Sequence, residues 1–404
     1  MRKKFIIVLT SWVLVGCCLC FVSCCKNCDN SKLITIDIES EVNKWQTVFL
    51  SDFSNDIKYI RLESNNAIGY ISDLDFTKDY IIINNQKEEC LLFSLEGDLI
   101  SIIGQKGRGP EEYEDLSNVR ISGSGEIFVQ SFYDLIIYDT SGIYIDRVNN
   151  FFLQEGYYIS KWLPIGESLV LGKVDIQTGR EEYKALLINR NGNIVKEFVN
   201  YVRFERERPV AGYWEQQASI FYVNDKYYFK EMYNDTLFCF EETDKLLVPE
   251  YNFKIGKYSE TLSVRSSLLV DKYRNYIYLD DLFQLSCYFF LDFNFGDRFP
   301  AQRITPIKIT VGSISFLKTK NTSHVLGIYD LTKNKLIFCE PTTSDNPLFS
   351  SGIYNDIDGG PRFFPNTMAN DSTMVMWVEV KDLKYHVASD DFKNAVVKYP
   401  EKKQ

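Results

Sequence analysis

The chain has 404 residues, with 55 Asp and Glu against 45 Lys and Arg, so its net charge at pH 7 is −10. Without Arg2, Lys3 and Lys4, 42 cations face 55 acids, and the remainder carries 42 − 55 = −13. Binding to nucleic acid needs a basic face, so this composition excludes nucleic acid as a partner. Aromatic residues form 15% of the chain, which favours strands and supplies apolar surface for a core.

The first residues have the layout of an export signal. Three cations precede an apolar run that ends in small residues and cysteines. Two stretches resemble the lipobox of bacterial lipoproteins, LVGC ending at Cys17 and FVSC ending at Cys24. Cleavage before Cys17 would leave the apolar LCFV in the mature arm, so we predict lipidation of Cys24, with Cys17 as the alternative.

These signals predict a signal peptide over 1–23, a tether over 24–32 and one folded domain over 33–404. The domain would be exported and anchored by lipid to the cell envelope, at the outer membrane. An uncleaved membrane anchor from Phe5 to Val22 is the alternative, because that run approaches the length that spans a bilayer.

The spacing of cysteine and histidine along the chain does not match that of a metal site or of a catalytic nucleophile with its base. Six of the ten cysteines lie within the first 28 residues, and the others stand alone among apolar neighbours: Cys90, Cys239, Cys287 and Cys339. We predict buried free thiols, with a disulfide between two of them as the alternative. His324 and His386 are the only histidines, and neither lies near a nucleophile motif. No metal and no cofactor is expected.

A hairpin template recurs along the chain. CLLFSLEGDLISIIG, LIIYDTSGIYIDRV and ALLINRNGNIVKEF each read as an apolar strand, a polar turn with glycine and a second strand. Their glycines, Gly97, Gly142 and Gly192, are 45 and 50 residues apart. This period is typical of propeller blades, which bury their faces only by stacking. The sequence therefore predicts an all-β, six-bladed β-propeller with four-stranded antiparallel blades, closed by an N-terminal strand in the last blade.

Three further stretches carry a family resemblance. IGQKGRGPEEY at 103–113, YNDTLFCFEETDKLLVPEYNFKIGK at 233–257 and YNDIDGGPRFFP at 354–365 are similar to segments of a family of bacterial lipoproteins with a six-bladed β-propeller, related to NHL-repeat propellers. The resemblance implies a fold and a location, but no reaction. The stretch from Cys287 to His324 is longer than a regular blade permits, so we predict an insertion there and leave blade boundaries between 260 and 345 open.

Residues 104–116, GQKGRGPEEYEDL, form the most unusual loop. The spacing of Gly104, Gly107 and Gly109 does not match a phosphate-binding loop, and no Lys-Ser pair follows. We predict a structural turn, in which the glycines take positive φ and Arg108 pairs with Glu111 or Glu112. The acids of EEYED or DIDGG could instead serve as a glycosidase pair, and Asp356 and Asp358 of DIDGG could bind calcium, but turns are favoured.

The leading functional hypothesis is a non-catalytic binding or assembly module for a glycan, a peptide or an envelope protein. Its proposed contact residues are Arg108, Tyr213, Trp214 and Arg362, which are placed in loops. The rival hypothesis is a carbohydrate-active hydrolase or lyase that uses Asp and Glu at the mouth of the channel.

Overall fold

The computed structural model describes residues 33–63, 68–85, 89–206, 219–231, 233–266, 275–298, 323–341, 351–399 and 402, and the backbone of 4–10, 304–311 and 314–321. In these ranges the chain is an all-β propeller of four-stranded antiparallel blades. No helix within them is both long and apolar enough to cross a bilayer.

The N-terminal part supplies four strands: β1 (Lys4–Thr10), β2 (Ile34–Asp37), β3 (Trp45–Gln46) and β4 (Asp56–Leu62). Blade 1 contains β5 (Ile71–Phe76), β6 (Tyr80–Asn85), β7 (Glu89–Ser94) and β8 (Leu99–Ile103). Blade 2 contains β9 (Asn118–Ile121), β10 (Ile127–Ser131), β11 (Asp134–Tyr138) and β12 (Tyr144–Val148). Blade 3 contains β13 (Leu153–Gln154), β14 (Tyr157–Ile165), β15 (Leu169–Val174), β16 (Tyr183–Asn189) and β17 (Ile194–Val199).

Blade 4 contains β18 (Ser219–Val223), β19 (Lys226–Lys230), β20 (Thr236–Glu241) and β21 (Leu246–Lys254). Blade 5 contains β22 (Tyr278–Leu285), β23 (Tyr288–Asn294), β26 (His324–Asp330) and β27 (Lys335–Cys339), and the hairpin β24 (Ile304–Val311) and β25 (Ile314–Asn321) is inserted between its second and third strands. This hairpin is the insertion that the length of 287–324 predicted.

The last sheet, here called the composite sheet, joins β28 (Thr367–Asn370) and β29 (Thr373–Glu379) to β1 and β4. Helices α1 (Leu262–Arg265), α2 (Val380–Ala388) and α3 (Asp390–Lys393) and 3-10 turns at Leu50–Asp52, Gly256–Tyr258 and Gly296–Arg298 complete the described elements.

The structure shows five blades and does not confirm the predicted count of six. The reason lies after β29, where the polar segment VKDLKYHVASDDFK forms α2 and α3 instead of two more strands. The composite sheet therefore draws on both ends of the chain. N-terminal strands join the C-terminal ones, because β1 pairs antiparallel with β29 and with β4. The strand that contacts β29 directly, β1, lies within residues 1–23, which the sequence analysis assigned to a signal peptide and not to the folded domain.

Apolar clusters between neighbouring sheets hold the ring together. Phe151, Phe152 and Trp162 are almost fully buried between blades 2 and 3. Phe253 and Phe289 are fully buried between blades 4 and 5. A further cluster joins the composite sheet to blade 1. A hairpin that cannot shield its own two faces thus buries them against its neighbours, as the repeat predicted.

The glycines of the repeat take the conformation that the template requires. Gly97, Gly142 and Gly192 have φ values of 95°, 82° and 82°. A side chain at Gly97 would also meet the carbonyl oxygen of Arg61, 2.2 Å from its Cβ. These turns therefore need glycine for both backbone conformation and space.

The N-terminal segment runs along the outside of the ring as a belt, defined here as residues 34–63. β2 pairs in parallel with β21 of blade 4, and β3 pairs in parallel with β27 of blade 5. Parallel bridges then link Phe49 to Tyr354 and Glu63 to Asp98 of blade 1. The belt covers outer strand edges that would otherwise be exposed.

Candidate functional site

A cleft of about 430 Å³ opens between blades 2 and 3. It lies on the face of the ring where the first strand of each blade begins and the second strand ends. Its wall includes four aromatic residues and three acids from four separate segments of the chain: Phe132, Tyr133, Tyr157, Tyr158, Asp115, Asp175 and Glu181. No Lys, Arg or His lines the cleft within the described residues. Aromatic faces without a cationic partner suit a neutral or cationic ligand better than an anionic one.

Two of the aromatic side chains stand on the tight turn between β10 and β11. Phe132 is 53% exposed and Tyr133 is 45% exposed, which is unusual for side chains of this size. Phe132 has φ 51°, a left-handed conformation that disfavours a bulky residue. The next residue, Asp134, fixes the turn, because its carboxylate accepts hydrogen bonds from Arg147 Nε at 2.9 Å and from the amide of Asn150 at 2.9 Å.

The other two aromatic residues begin β14, directly after the Glu155–Gly156 turn. Both turn residues have positive φ, 50° and 88°. Tyr158 meets Tyr133 edge to face with ring centroids 5.9 Å apart, so blades 2 and 3 touch through their aromatic rims. Tyr157 packs similarly on Tyr183 at 5.5 Å.

A buried glutamine, Gln130, forms the floor beneath the aromatic rim. Its Nε2 donates to the Tyr158 hydroxyl at 3.2 Å and to the carbonyl oxygen of Ile159 at 3.3 Å. Its Oε1 accepts from Trp162 Nε1 at 2.8 Å and from Asn118 Nδ2 at 2.7 Å. Because every polar atom of the amide is used, Gln130 fixes the relative position of the two walls.

The acids of the cleft differ in what they do. Glu181 accepts from the amides of Gln177, Thr178 and Gly179 and from the Thr178 hydroxyl, at 2.8–3.1 Å, so its carboxylate shapes the β15–β16 loop. Asp115 accepts from the Ser117 hydroxyl at 2.6 Å. Burial raises the pKa of Asp175, whose carboxylate accepts from Gln177 Nε2 at 3.1 Å. Asp115 and Asp175 thus each accept one side-chain hydrogen bond, whereas Glu181 is engaged by its loop through four.

Arg108 lies outside the cleft. Its side chain is 89% exposed and its Nε lies 3.7 Å from Glu114, so the predicted pairing with Glu111 or Glu112 was wrong. Glu112 instead folds back to accept from the amide of Gly109 at 2.8 Å, which lowers its pKa.

The glycine-rich loop is a structural turn, but its glycines act differently from the prediction. Gly104 has φ 60° beside the Tyr138 ring, whereas Gly107 and Gly109 are not in the left-handed region. A side chain at Gly107 would meet the Glu112 carboxylate, 1.9 Å from its Cβ. The glycine there makes room for the acid.

Arg362 is half-buried near the C-terminal strands, away from the cleft. Its Nη1 donates to the carbonyl oxygens of Glu340 and Gly352, both at 3.3 Å, and its guanidinium lies over the Tyr354 ring. Burial lowers its pKa. Tyr213 and Trp214 lie outside the described residues, as do Cys17 and Cys24.

Three of the four body cysteines are free thiols: Cys90, Cys287 and Cys339. Of these, Cys90 and Cys339 are buried, as predicted, and Cys287 is half-buried. Cys239 is disulfide-bonded, so the prediction of a free thiol was wrong there.

A second group of polar residues occupies one register position in all five blades. At this position a polar residue of the first strand lies opposite a polar residue of the second strand. From blade 1 to blade 5 these pairs are Asp73–Asn84, Asn118–Gln130, Lys161–Lys173, Ser219–Lys230 and Asp281–Asp292. Several of these side chains link adjacent blades. Asp73 accepts from the Val119 amide at 2.9 Å and from Arg120 Nη1 at 2.7 Å, and Asp281 accepts from the Ser219 hydroxyl at 2.6 Å.

This polar position was missed in the sequence, although the signal is present. A lone polar residue near the end of an apolar second strand, as in IIINN, IFVQS and LVLGKV, departs from the pattern of a buried strand. Blade 5 differs from the others because aspartate occupies both members of its pair, and His324 lies beside them. The described residues contain no group of three side chains suited to a metal ion.

Comparison with known families decides the relationship of this chain. A family model described as a domain of unknown function, DUF4934, matches residues 33–404. The chain belongs to the DUF4934 family. A comparison with functionally curated proteins found no match.

Solved structures with a similar fold include three from Bacteroides species. An exported protein of Bacteroides fragilis shares 13% identity at a TM-score of 0.54, over 76% of this chain and 80% of its own. A DUF4221 family member of Bacteroides vulgatus has 13% identity and a TM-score of 0.49, over 79% and 95%. A protein of unknown function from Bacteroides caccae has 10% identity and a TM-score of 0.40, over 86% and 97%. Identity this low shows similarity of fold alone.

Proposed function

We propose that this DUF4934 protein is a non-catalytic binding module whose cleft between blades 2 and 3 binds a neutral glycan. The observation that carries the proposal is the exposed pair Phe132 and Tyr133, which lines a cleft of about 430 Å³ together with Tyr157 and Tyr158. Aromatic rings present flat apolar faces to sugar rings, while the carboxylates and hydroxyls around them accept and donate hydrogen bonds to sugar hydroxyls.

The arrangement of the acids favours binding over hydrolysis. A glycosidase needs two carboxyl groups poised at the scissile bond. Here the Glu181 carboxylate accepts four hydrogen bonds from its own loop, and Asp115 is held by Ser117. Asp175 has a pKa raised by burial, and the carboxylate whose charge adds to that shift, Glu181, is the one engaged by its own loop.

Two structural proposals accompany this function. We infer that the composite sheet acts as the sixth blade, since apolar clusters join it to blades 5 and 1. The N-terminal signal supports export and lipid anchoring at Cys24 in the outer membrane, and the Bacteroides fragilis protein of similar fold is itself described as exported. Cleavage before Cys24 would remove β1, so the sixth blade of the mature protein would retain β28, β29 and β4.

A glycan and peptide array probed with the purified protein tests the binding proposal. We expect neutral oligosaccharides among the hits, with affinity lost in Phe132→Ala and retained in Tyr385→Ala, an exposed tyrosine on α2. Each hit is then incubated with the protein and analysed for products. Hits confined to peptides, or binding unchanged in Phe132→Ala, would refute the proposal, and product formation would establish the enzyme instead.

A further inference from the structure

Strand β1 lies in the interior of the composite sheet, between β29 on one side and β4 on the other. It pairs along its full length with Thr373–Glu379 and with Asp56–Leu62. Both pairings are antiparallel, so β29 and β4 run parallel to each other. Cleavage before Cys24, on which this inference rests, would remove β1 and leave the inner edges of both neighbours unpaired. We call the space between these two edges the slot.

Both walls of the slot belong to the core. Met376 of β29 lies in the apolar cluster shared with blade 5, and Val375 lies in the cluster shared with blade 1. Ile60 and Leu62 of β4 are 3% and 1% exposed in that second cluster. Backbone amides and carbonyl oxygens at such a depth are costly when they lack hydrogen-bond partners. Removal of β1 therefore favours the entry of another strand at the same place.

Contacts that do not involve β1 hold β4 at a distance from β29. Just before β4, the amide and the hydroxyl of Ser51 donate to the Asp356 carboxylate at 2.9 and 2.7 Å. Just after β4, the amide of Glu63 donates to the carbonyl oxygen of Gly97 in blade 1 at 2.9 Å. Closing the slot would require β4 to move by about 4.8 Å, the spacing of paired strands, and would strain both contacts. It would also place a parallel pair inside a blade, whereas the strands within each of the five blades pair antiparallel.

The described part of the chain after Cys24 has no spare strand for the slot. Each of its strands already pairs in a sheet, including β24 and β25, which pair with each other. A second processed copy has the same strands and is equally unable to donate one. The fold does, however, complete its blades with distant segments, because β2 is added to blade 4 and β3 to blade 5.

We propose that the slot of the processed protein takes a donor strand from another polypeptide of the cell envelope. Strand addition of this kind obtains its affinity from main-chain hydrogen bonds and its specificity from the side chains along the groove. The donor runs antiparallel to β29 and β4 and spans the 7 residues of each wall. Because apolar clusters cover both faces of the sheet, the donor is apolar at consecutive positions and not only at alternate ones.

The test uses the processed protein, extracted from bacterial membranes in detergent, and its mass shows whether residues 1–23 have been removed. The comparison is the full chain with Cys17→Ala and Cys24→Ala, which lacks both predicted lipobox cysteines and so keeps β1. The probe is a peptide of residues 2–11, RKKFIIVLTS, which contains the sequence of β1. Its Ile7→Pro form is the matched control, because proline removes a backbone donor and disfavours an interior strand. Hydrogen exchange of 56–62 and 373–379, followed by mass spectrometry, reports on the slot itself.

We expect fast exchange of both segments in the processed protein, slowed at least about tenfold by saturating peptide and unchanged by its Ile7→Pro form. The uncleaved comparison should exchange slowly without peptide. Slow exchange in the processed protein also supports the proposal if a second polypeptide is present in equal amount and cross-links to β4 or β29 through an apolar segment, which then identifies the donor.

Slow exchange in the processed protein alone would show that the slot closes, and fast exchange that the peptide leaves unchanged would show that it takes no strand. Either result overturns the proposal. Retention of residues 1–23 would refute both the cleavage before Cys24 and this inference. Glycan binding in the cleft is measured separately on the uncleaved comparison, so its outcome is independent of the slot.

Discussion

Gln130 of blade 2 donates to the Tyr158 hydroxyl of blade 3 at 3.2 Å, directly beneath the cleft. The same side chain accepts from Trp162, so one amide joins two sheets that have no strand pairing with each other. The cleft therefore depends on a buried polar contact as much as on its exposed aromatic rings.

Gln130→Leu should destabilise the protein by about 2–4 kcal/mol, because the Trp162 indole and the Asn118 amide would lose their acceptor inside the fold. Urea unfolding of both proteins measures the difference. Gln46→Leu, at an exposed strand position, is the control and should change stability by less than about 0.5 kcal/mol. Similar losses for the two variants would show that Gln130 has no special structural role.

Substitution by glycine should change the stability of the protein differently at the two aromatic residues of the β10–β11 turn, Phe132 and Tyr133. Phe132→Gly removes a half-exposed side chain from a left-handed position, so we expect stability to be kept or raised by up to about 1 kcal/mol. Tyr133 lies outside the left-handed region, and Tyr133→Gly should lower stability by about 1 kcal/mol. Thermal unfolding of the pair gives the comparison, and an equal loss at both positions would contradict the assignment of strain to Phe132.

Asp280 should make stability depend on pH. Burial raises its pKa to about 7, the charge of Asp292 acts in the same direction, and His324, Asn294 and Lys230 oppose the shift. Because the folded state holds this proton more tightly than the unfolded chain, the contribution of Asp280 to stability is present below about pH 4 and lost as the pH rises through about 7.

Asp280→Asn should therefore leave Tm unchanged near about pH 4 and raise it at about pH 8. The exposed Asp79→Asn serves as the control, with no difference expected at either pH. A lower Tm for Asp280→Asn at the alkaline pH would mean that the ionised carboxylate is stabilised in the fold, contrary to the structure.

The contact between Asp73 and Arg120 should be important for joining blades 1 and 2. Both side chains are largely buried, and Asp73→Ala would leave the Val119 amide without its acceptor and remove the carboxylate that pairs with the guanidinium, which would keep its bond to the carbonyl oxygen of Val119 at 2.6 Å. We expect a loss of about 3 kcal/mol in urea unfolding. The exposed pair of Arg61 and Glu63 offers a comparison, for which Glu63→Ala should cost less than about 1 kcal/mol. Equal losses of stability in Asp73→Ala and Glu63→Ala would show that apolar packing alone joins blades 1 and 2.

The sequence predicted the hairpins well because each one is specified locally. A glycine at Gly97, Gly142 or Gly192 between two apolar runs leaves the backbone few alternatives. The number of blades depends instead on which distant strands pair, and the belt and the composite sheet use pairings between residues several hundred positions apart. No local pattern encodes such partners.

The cleft lay beyond prediction for a related reason. Its walls come from the loop before β9, the β10–β11 turn, the start of β14 and the β15–β16 loop, and each fragment alone reads as an ordinary turn. Arg108 and Arg362 attracted attention because charge in a glycine-rich loop is conspicuous, yet the structure leaves one in solvent and binds the other to backbone carbonyls. Exposed aromatic residues at Phe132 and Tyr133 were the better indicator, since a turn gains nothing from them.

The belt also sets the order in which the molecule can fold. Ile34 pairs with Tyr251, 251 − 34 = 217 residues later, and Trp45 pairs with Phe338, 338 − 45 = 293 residues later. During synthesis the belt has no docking edge until blade 4 has emerged, whereas each hairpin can close as soon as its own residues leave the ribosome. Because contacts so distant in sequence form late and slow folding, we expect early intermediates in which hairpins are stacked while the leading segment is still unattached.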